Sequence, residues 1–255
     1  MDLTKCFVAS AMILIVTSAT AAAQQGDLKI TFKLKGTRPP PQRPVIRPGA
    51  VCGAVLDETL IVHPENNGIK NVVVYVYTGR RGTQLPQQQP PKRLIQLTGR
   101  NCRLDPHVLL TQVGDTIQFV NADPIAYSIN FGFFNNPPQG FVLPVGQGPR
   151  ITLEVPEPAV CPIACNIHPW IQGFVLVVDH PFAAKSDDKG VLEIKGLPTG
   201  KTIIFRAWHE TGTFRNQILV NGMPTNWISN KFEADIQPGM NDLGIVEIPI
   251  EDFDL

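Results

Sequence analysis

The chain has 255 residues, and its 22 lysines and arginines are balanced by 22 aspartates and glutamates, so the formal net charge at pH 7 is zero. No basic run stands out, which argues against nucleic acid as a partner, because such binding depends on clustered cations that neutralise phosphates. The sequence has no glycine-rich phosphate loop, no nucleophile elbow and no zinc-protease motif. We therefore expect that the protein is not an enzyme.

The N-terminus has the pattern of a secretory signal peptide. Lys5 precedes an apolar run at 7–16, and alanines follow at 21–23. This order predicts a signal peptide over residues 1–23. The apolar run is shorter than the roughly 20 residues of a membrane-spanning helix, so we expect no membrane span in the mature chain and a periplasmic or secreted location.

Four cysteines remain after the signal, and an even number in an oxidising compartment predicts disulfides. Cys52 and Cys102 both lie beside turns, and we expect them to be bonded to each other. Cys161 and Cys165 leave two possibilities open. They could form a second disulfide, or Cys165 could remain a thiolate that binds metal.

Short β-branched apolar runs, each bounded by turn residues, follow the signal. No stretch beyond the signal has sustained helical periodicity, so we expect an all-β fold built as a β-sandwich. The runs are LKITFKL (28–34), NVVVYVY (71–77), DTIQFV (115–120), RITLEV (150–155) and GFVLVV (173–178).

Two segments predict irregular connections, and the turn pattern changes late in the chain. The proline-rich segment 38–48 and the polar segment 80–93 are expected to be solvated connections. After 178, closely spaced turns and short alternating strands indicate a small β-sandwich module. We therefore divide the mature chain into one domain at 24–180 and a β-module at 181–255.

A loop between two predicted strands carries the best candidates for metal ligands. Cys165 and His168 lie between RITLEV (150–155) and GFVLVV (173–178). A copper electron-transfer site needs a thiolate, imidazole nitrogens and a weak axial ligand. Cupredoxins supply the cysteine, one histidine and the axial residue from one loop in this position, so Cys165 and His168 are candidate copper ligands.

Several segments in order resemble secreted cupredoxin-like proteins of planctomycete-type bacteria, known as plastocyanin-like or methylamine-utilisation-like proteins. These segments are VCG, NVVVYVY, CRLDPHV, NADPIAYSIN, CNIHPWI, VVDHPFAAKSDDKG and WHETG, and they span nearly the whole mature chain. The resemblance implies a cupredoxin-like Greek-key β-sandwich followed by a module similar to carboxypeptidase regulatory domains. It also implies copper as cofactor and a redox partner protein.

The chain departs from the family pattern at two positions. Tyr127 stands where the resemblance implies the first histidine ligand, and Ile171 stands where it implies the axial methionine. A phenol with a pKa near 10 is a poor ligand for a soft cuprous ion. Cys161 could be an extra ligand or the disulfide partner of Cys165. Two hypotheses follow: an electron-transfer protein whose copper site is altered or lost, or a non-metal binding or structural module at the cell surface.

The remaining histidines are interpreted as structural or solvated. We expect His107 to be held by a hydrogen bond, and His63 and His180 to lie in solvated turns. The segment Trp208-His209-Glu210 ends a predicted strand, and we expect it to pack across the boundary between the two modules.

Overall fold

The protein is nearly all β in the computed structural model, as the sequence predicted. The expected signal at 1–23 and the proline-rich segment 38–48 lie outside the described residues. No helix within the described ranges is long and apolar enough to cross a membrane. The residues that the structure describes are 24–36, 51–87, 89, 92–214 and 218–255.

The strands are short, and two single 3₁₀ turns lie at Ile228–Asn230 and Ile250–Asp252. In chain order the strands are β1 (Gln25–Lys35), β2 (Val73–Val76), β3 (Leu94–Arg100), β4 (Arg103–Asp105), β5 (Val108–Gln112), β6 (Thr116–Asn121), β7 (Tyr127–Phe131), β8 (Gln139–Leu143), β9 (Gly146–Thr152), β10 (Cys161–Cys165), β11 (Gln172–Val178), β12 (Ala183–Lys185), β13 (Val191–Pro198), β14 (Thr202–Trp208), β15 (Ile218–Val220), β16 (Met223–Thr225), β17 (Lys231–Asp235) and β18 (Gly239–Pro249).

These strands form four sheets, which pack as two sandwiches. Sheet I has the order β13-β1-β18-β15-β16, and sheet II has the order β12-β2-β14-β17. Sheet III has the order β5-β11-β10-β7-β8, and sheet IV has the order β4-β3-β6-β9. One apolar core lies between sheets I and II, and another lies between sheets III and IV.

A third core joins the two sandwiches, because sheets II and III also pack face to face. In β2, Val74 faces the core of sheets I and II, whereas Val73 and Tyr75 face sheet III. In β11, Val177 faces the core between sheets III and IV, and Leu176 faces sheet II. Strands buried on both faces read as unbroken apolar runs, which explains the segments NVVVYVY and GFVLVV.

The strand pairing differs from the division of the chain at 180/181. Strand β1 lies between β13 and β18, and β2 lies between β12 and β14. The sandwich formed by the C-terminal strands therefore includes β1 and β2, which come early in the chain. Alternate residues of β1 are buried, and this apolar face packs against sheet II, whose strands come from distant parts of the sequence, so local pattern did not reveal its partners.

Candidate metal site

Sheet III places Cys165 and His168 close together at one end of its sandwich. Cys165 ends β10 and pairs with Ile129 of β7, and the chain then turns back into β11. The turn is closed by two hydrogen bonds: Ile171 N–H donates to the His168 carbonyl at 2.9 Å, and Cys165 N–H donates to the Ile171 carbonyl at 3.0 Å. The loop is therefore held tightly by its own backbone.

The side chains of Cys165 and His168 have the separation that two ligands of one metal ion need. Cys165 Sγ lies 3.6 Å from His168 Nδ1, and ligands at about 2.0–2.3 Å from one tetrahedral ion lie roughly 3.5 Å apart. The backbone N–H of Ser128 donates to Cys165 Sγ at 3.3 Å. The thiol is buried, at 2% exposure, and the imidazole is half-buried beside Trp170.

Tyr127 lies next to this pair but does not supply a third metal ligand. Its ring packs edge-on to His168, with ring centroids 6.0 Å apart. Its hydroxyl donates a hydrogen bond to Asp123. Burial, together with this bond to a carboxylate, raises the pKa of Tyr127 far above its ordinary value. The phenol therefore stays protonated, and its proton is committed to Asp123.

Asp123 ties Tyr127 to the loop that contains the disulfide. Its carboxylate also accepts the backbone N–H groups of Asn101 and Cys102, each at 2.8 Å. Cys102 is bonded to Cys52, with Cα atoms 5.6 Å apart, so the predicted disulfide is confirmed. Asp123 was missed by sequence reasoning, because an aspartate in a turn gives no local signal of a buried tyrosine partner.

Ile171 is fully buried in the core between sheets III and IV. Its side chain contains no atom that can ligate a metal. The position where the resemblance implies an axial ligand is therefore filled by apolar packing.

Cys161 lies at the far end of β10 from Cys165, and both thiols are free. Four residues of extended strand span about 13 Å, whereas a disulfide requires Cα atoms within about 7 Å. In this structure the two thiols are therefore too far apart to form a disulfide or to bind the same metal ion. Burial, and then the negative charge of Glu157, raise the pKa of the Cys161 thiol to about 12.

The donor set is too small for a cupredoxin copper centre. Within the described ranges, no group of three or more His, Cys, Asp or Glu side chains is placed to hold a metal ion. Cys165 and His168 come together, whereas Tyr127 and Ile171, at the positions where the resemblance implies the other two ligands, supply no metal-binding atom. These residues do not fit the thiolate, two imidazoles and axial ligand that such a centre needs.

The position of His180 contradicts the prediction of a solvated turn. His180 is buried at 3% exposure and not solvated, since its Nε2 bonds the Val76 carbonyl at 2.9 Å and its Nδ1 accepts the N–H of Phe182.

Gly99 of β3 lies against Tyr127, and a Cβ at this position would come within 2.0 Å of the tyrosine ring. The glycine is therefore what leaves room for the tyrosine.

No protein-family model matches the chain, and no curated protein matches its sequence. Solved cupredoxin structures are similar to part of it. A Cu(I) form of an amicyanin variant is 20% identical, covering 33% of this chain and 81% of amicyanin, with a TM-score of 0.29. A purple cupredoxin from Nitrosopumilus maritimus is 23% identical, covering 32% of this chain and 98% of that protein, with a TM-score of 0.28. Likeness at this level assigns the chain to no family.

Proposed function

We propose that the chain is a secreted protein of cupredoxin type whose electron-transfer centre is reduced to Cys165 and His168, and which acts as a non-redox binding or structural module. Support for the type comes from the placement of a cysteine and a histidine in one loop between β10 and β11. The backbone N–H of Ser128 that bonds the sulfur adds to this support.

The hydrogen bond from Tyr127 to Asp123 carries the non-redox part of the proposal. A copper centre that cycles between two oxidation states needs a set of ligands that changes little between them. Tyr127 holds its proton on a buried oxygen that faces a carboxylate, and Ile171 is apolar. With two donors left, the loop lacks the ligands that would hold both oxidation states in one geometry.

A second candidate is electron transfer by a weakened copper site, acting with a redox partner protein. One observation favours it: Cys165 Sγ and His168 Nδ1 remain 3.6 Å apart, a spacing suited to a shared ion. The two candidates differ in whether the natural chain holds copper through its thiolate.

Copper titration of three purified forms separates the candidates. The natural protein and Tyr127→Phe, which keeps the ring but not the hydroxyl, should show no intense thiolate-to-copper absorption. Tyr127→His adds the third donor and should develop this band. Adding Ile171→Met to Tyr127→His should then change the redox potential more than the copper affinity, because a long axial bond contributes little binding energy.

Two results would contradict the proposal. An intense band with one equivalent of copper in the natural protein would support electron transfer instead. A folded Tyr127→His protein that gains no band would mean that the loop is not a reduced copper centre, and the cupredoxin interpretation of the site would fail.

A further inference from the structure

A second cluster of polar side chains lies at a small cleft where four segments distant in sequence meet. The cleft has a volume of about 180 Å³ and is lined by His107, Glu58, Glu210, Arg103 and Trp170, among others. A molecule of liquid water takes up about 30 Å³, so the cleft has room for an ion and several waters.

One buried ring nitrogen in this cleft lacks a partner. The His107 side chain is 10% exposed, and its Nε2 lies 2.6 Å from Glu210 Oε1. A carboxylate accepts, so Nε2 carries a proton, and in the neutral imidazole Nδ1 is then left with a lone pair. Among the residues that the structure describes, no group makes a hydrogen bond to His107 Nδ1, and the indole Nε1 of Trp170, also buried, is likewise without one.

This arrangement is the one that prepares a histidine for a metal ion. Metal-binding histidines usually donate the other ring N–H to a carboxylate, which fixes the ring and makes the free nitrogen a better ligand. In His107, Glu210 has that role. The ring is further held edge-on against Phe174, with centroids 5.6 Å apart.

Glu58 offers a second ligand beside Nδ1 of the ring. Its Oε1 pairs with Arg103 Nη1 at 3.0 Å, and its Oε2 lies 3.9 Å from His107 Nδ1. Bonds of about 2.0–2.2 Å from a zinc ion would reach both atoms after a small movement of the glutamate. Asp57, Glu58 and Glu210 line the cleft, and its one guanidinium, Arg103, is paired with Glu58, so the charge at the cleft favours a cation.

We propose that this cleft binds a divalent transition metal ion of the zinc type, through His107 Nδ1 and Glu58 Oε2, with waters as the other ligands. Imidazole and carboxylate donors suit such ions. A metal-bound water also gives the Trp170 N–H an acceptor. Because the protein supplies two ligands, the binding is weak, which agrees with the lack of any group of three or more such ligands among the described side chains.

The test uses the mature full chain carrying Cys165→Ser and His168→Gln, so that zinc cannot bind at the candidate copper loop. Zinc titration by calorimetry should show one site in this background. Adding His107→Gln or Glu58→Gln should weaken binding about tenfold or more, and adding Glu210→Gln should weaken it about tenfold. The matched control is His63→Gln, which changes a half-buried histidine outside the cleft lining and should leave the affinity unchanged.

Long-range ¹H–¹⁵N spectra of the histidine rings provide a readout that altered stability alone does not mimic. Zinc should shift Nδ1 of His107 and leave Nε2 protonated. If His107→Gln does not fold, this spectrum and the zinc affinity of Glu58→Gln still test whether His107 and Glu58 bind the ion. The proposal is overturned if the Cys165→Ser/His168→Gln background binds no zinc, or if the folded Glu58→Gln and His107→Gln proteins bind it as tightly as the background. Neither result decides the proposed function, which is tested separately by copper titration at Cys165 and His168.

Discussion

Removing the hydroxyl of Tyr127 should destabilise the protein measurably. The hydroxyl is fully buried and donates to the carboxylate of Asp123. A hydrogen bond to a charged group contributes about 1.5–3 kcal/mol to stability. Asp123 keeps the two backbone donors at Asn101 and Cys102, so we expect Tyr127→Phe to lower the free energy of unfolding by about 2 kcal/mol.

The assay is urea denaturation followed by far-ultraviolet circular dichroism, with Tyr77→Phe as the matched control. The Tyr77 ring carries the ammonium of Lys231 at 3.6 Å, and its hydroxyl makes no hydrogen bond within the described residues, so the control should change stability little. At about 2–4 °C for each kcal/mol, the melting temperature of Tyr127→Phe should fall by about 4–8 °C.

A double-mutant cycle tests the partner. Tyr127→Phe and Asp123→Asn remove the same bond, so the double variant should lose less stability than the sum of the two single variants. A loss below about 0.5 kcal/mol in Tyr127→Phe, which is typical of a surface change, would refute the argument that this bond holds the tyrosine in place. Strict additivity of the two substitutions would refute it as well.

Three further predictions concern pH, packing and the disulfide. Burial, and then the nearby His107, lower the pKa of His209 from 6.5 to about 4. As the pH falls, the unfolded chain therefore takes up a proton on His209 at a higher pH than the folded protein does. The free energy of unfolding should fall by about 3 kcal/mol as the pH drops from 6.5 to 4. In His209→Gln, the free energy of unfolding measured by urea denaturation should fall less steeply between pH 6.5 and 4. An unchanged dependence on pH would contradict the assignment to His209. Gly99→Ala should cost about 1–3 kcal/mol by overpacking against Tyr127, and less in a Tyr127→His background; an equal cost in both would show that the ring is not what the new methyl group meets. Removing the disulfide with Cys52→Ala should cost about 4 kcal/mol, because the bond closes a loop of 50 residues, and free thiols found at both positions by alkylation of the natural protein would count against it.

The sequence was sufficient for features that depend on local pattern. Alternating and unbroken apolar runs predicted strands, because burial on one face or on both imposes those patterns on the residues themselves. The GFVLVV run became β11, and LKITFKL became part of β1. The disulfide between Cys52 and Cys102 was also predicted, since both cysteines lie beside turns in a sequence that carries the pattern of a secretory signal.

The tertiary structure decided which groups meet. The sequence does not state that β1 pairs with β13 and β18, because strand pairing is selected by distant surfaces that fit together. Cys161 and Cys165 are near neighbours in sequence, yet an extended strand separates them, while His107 and Glu210, 103 residues apart, share a hydrogen bond. The chemistry at Tyr127 was decided in the same way: a phenol is a candidate ligand by its formula, but burial beside Asp123 keeps its proton in place, and burial is a property of the packed fold.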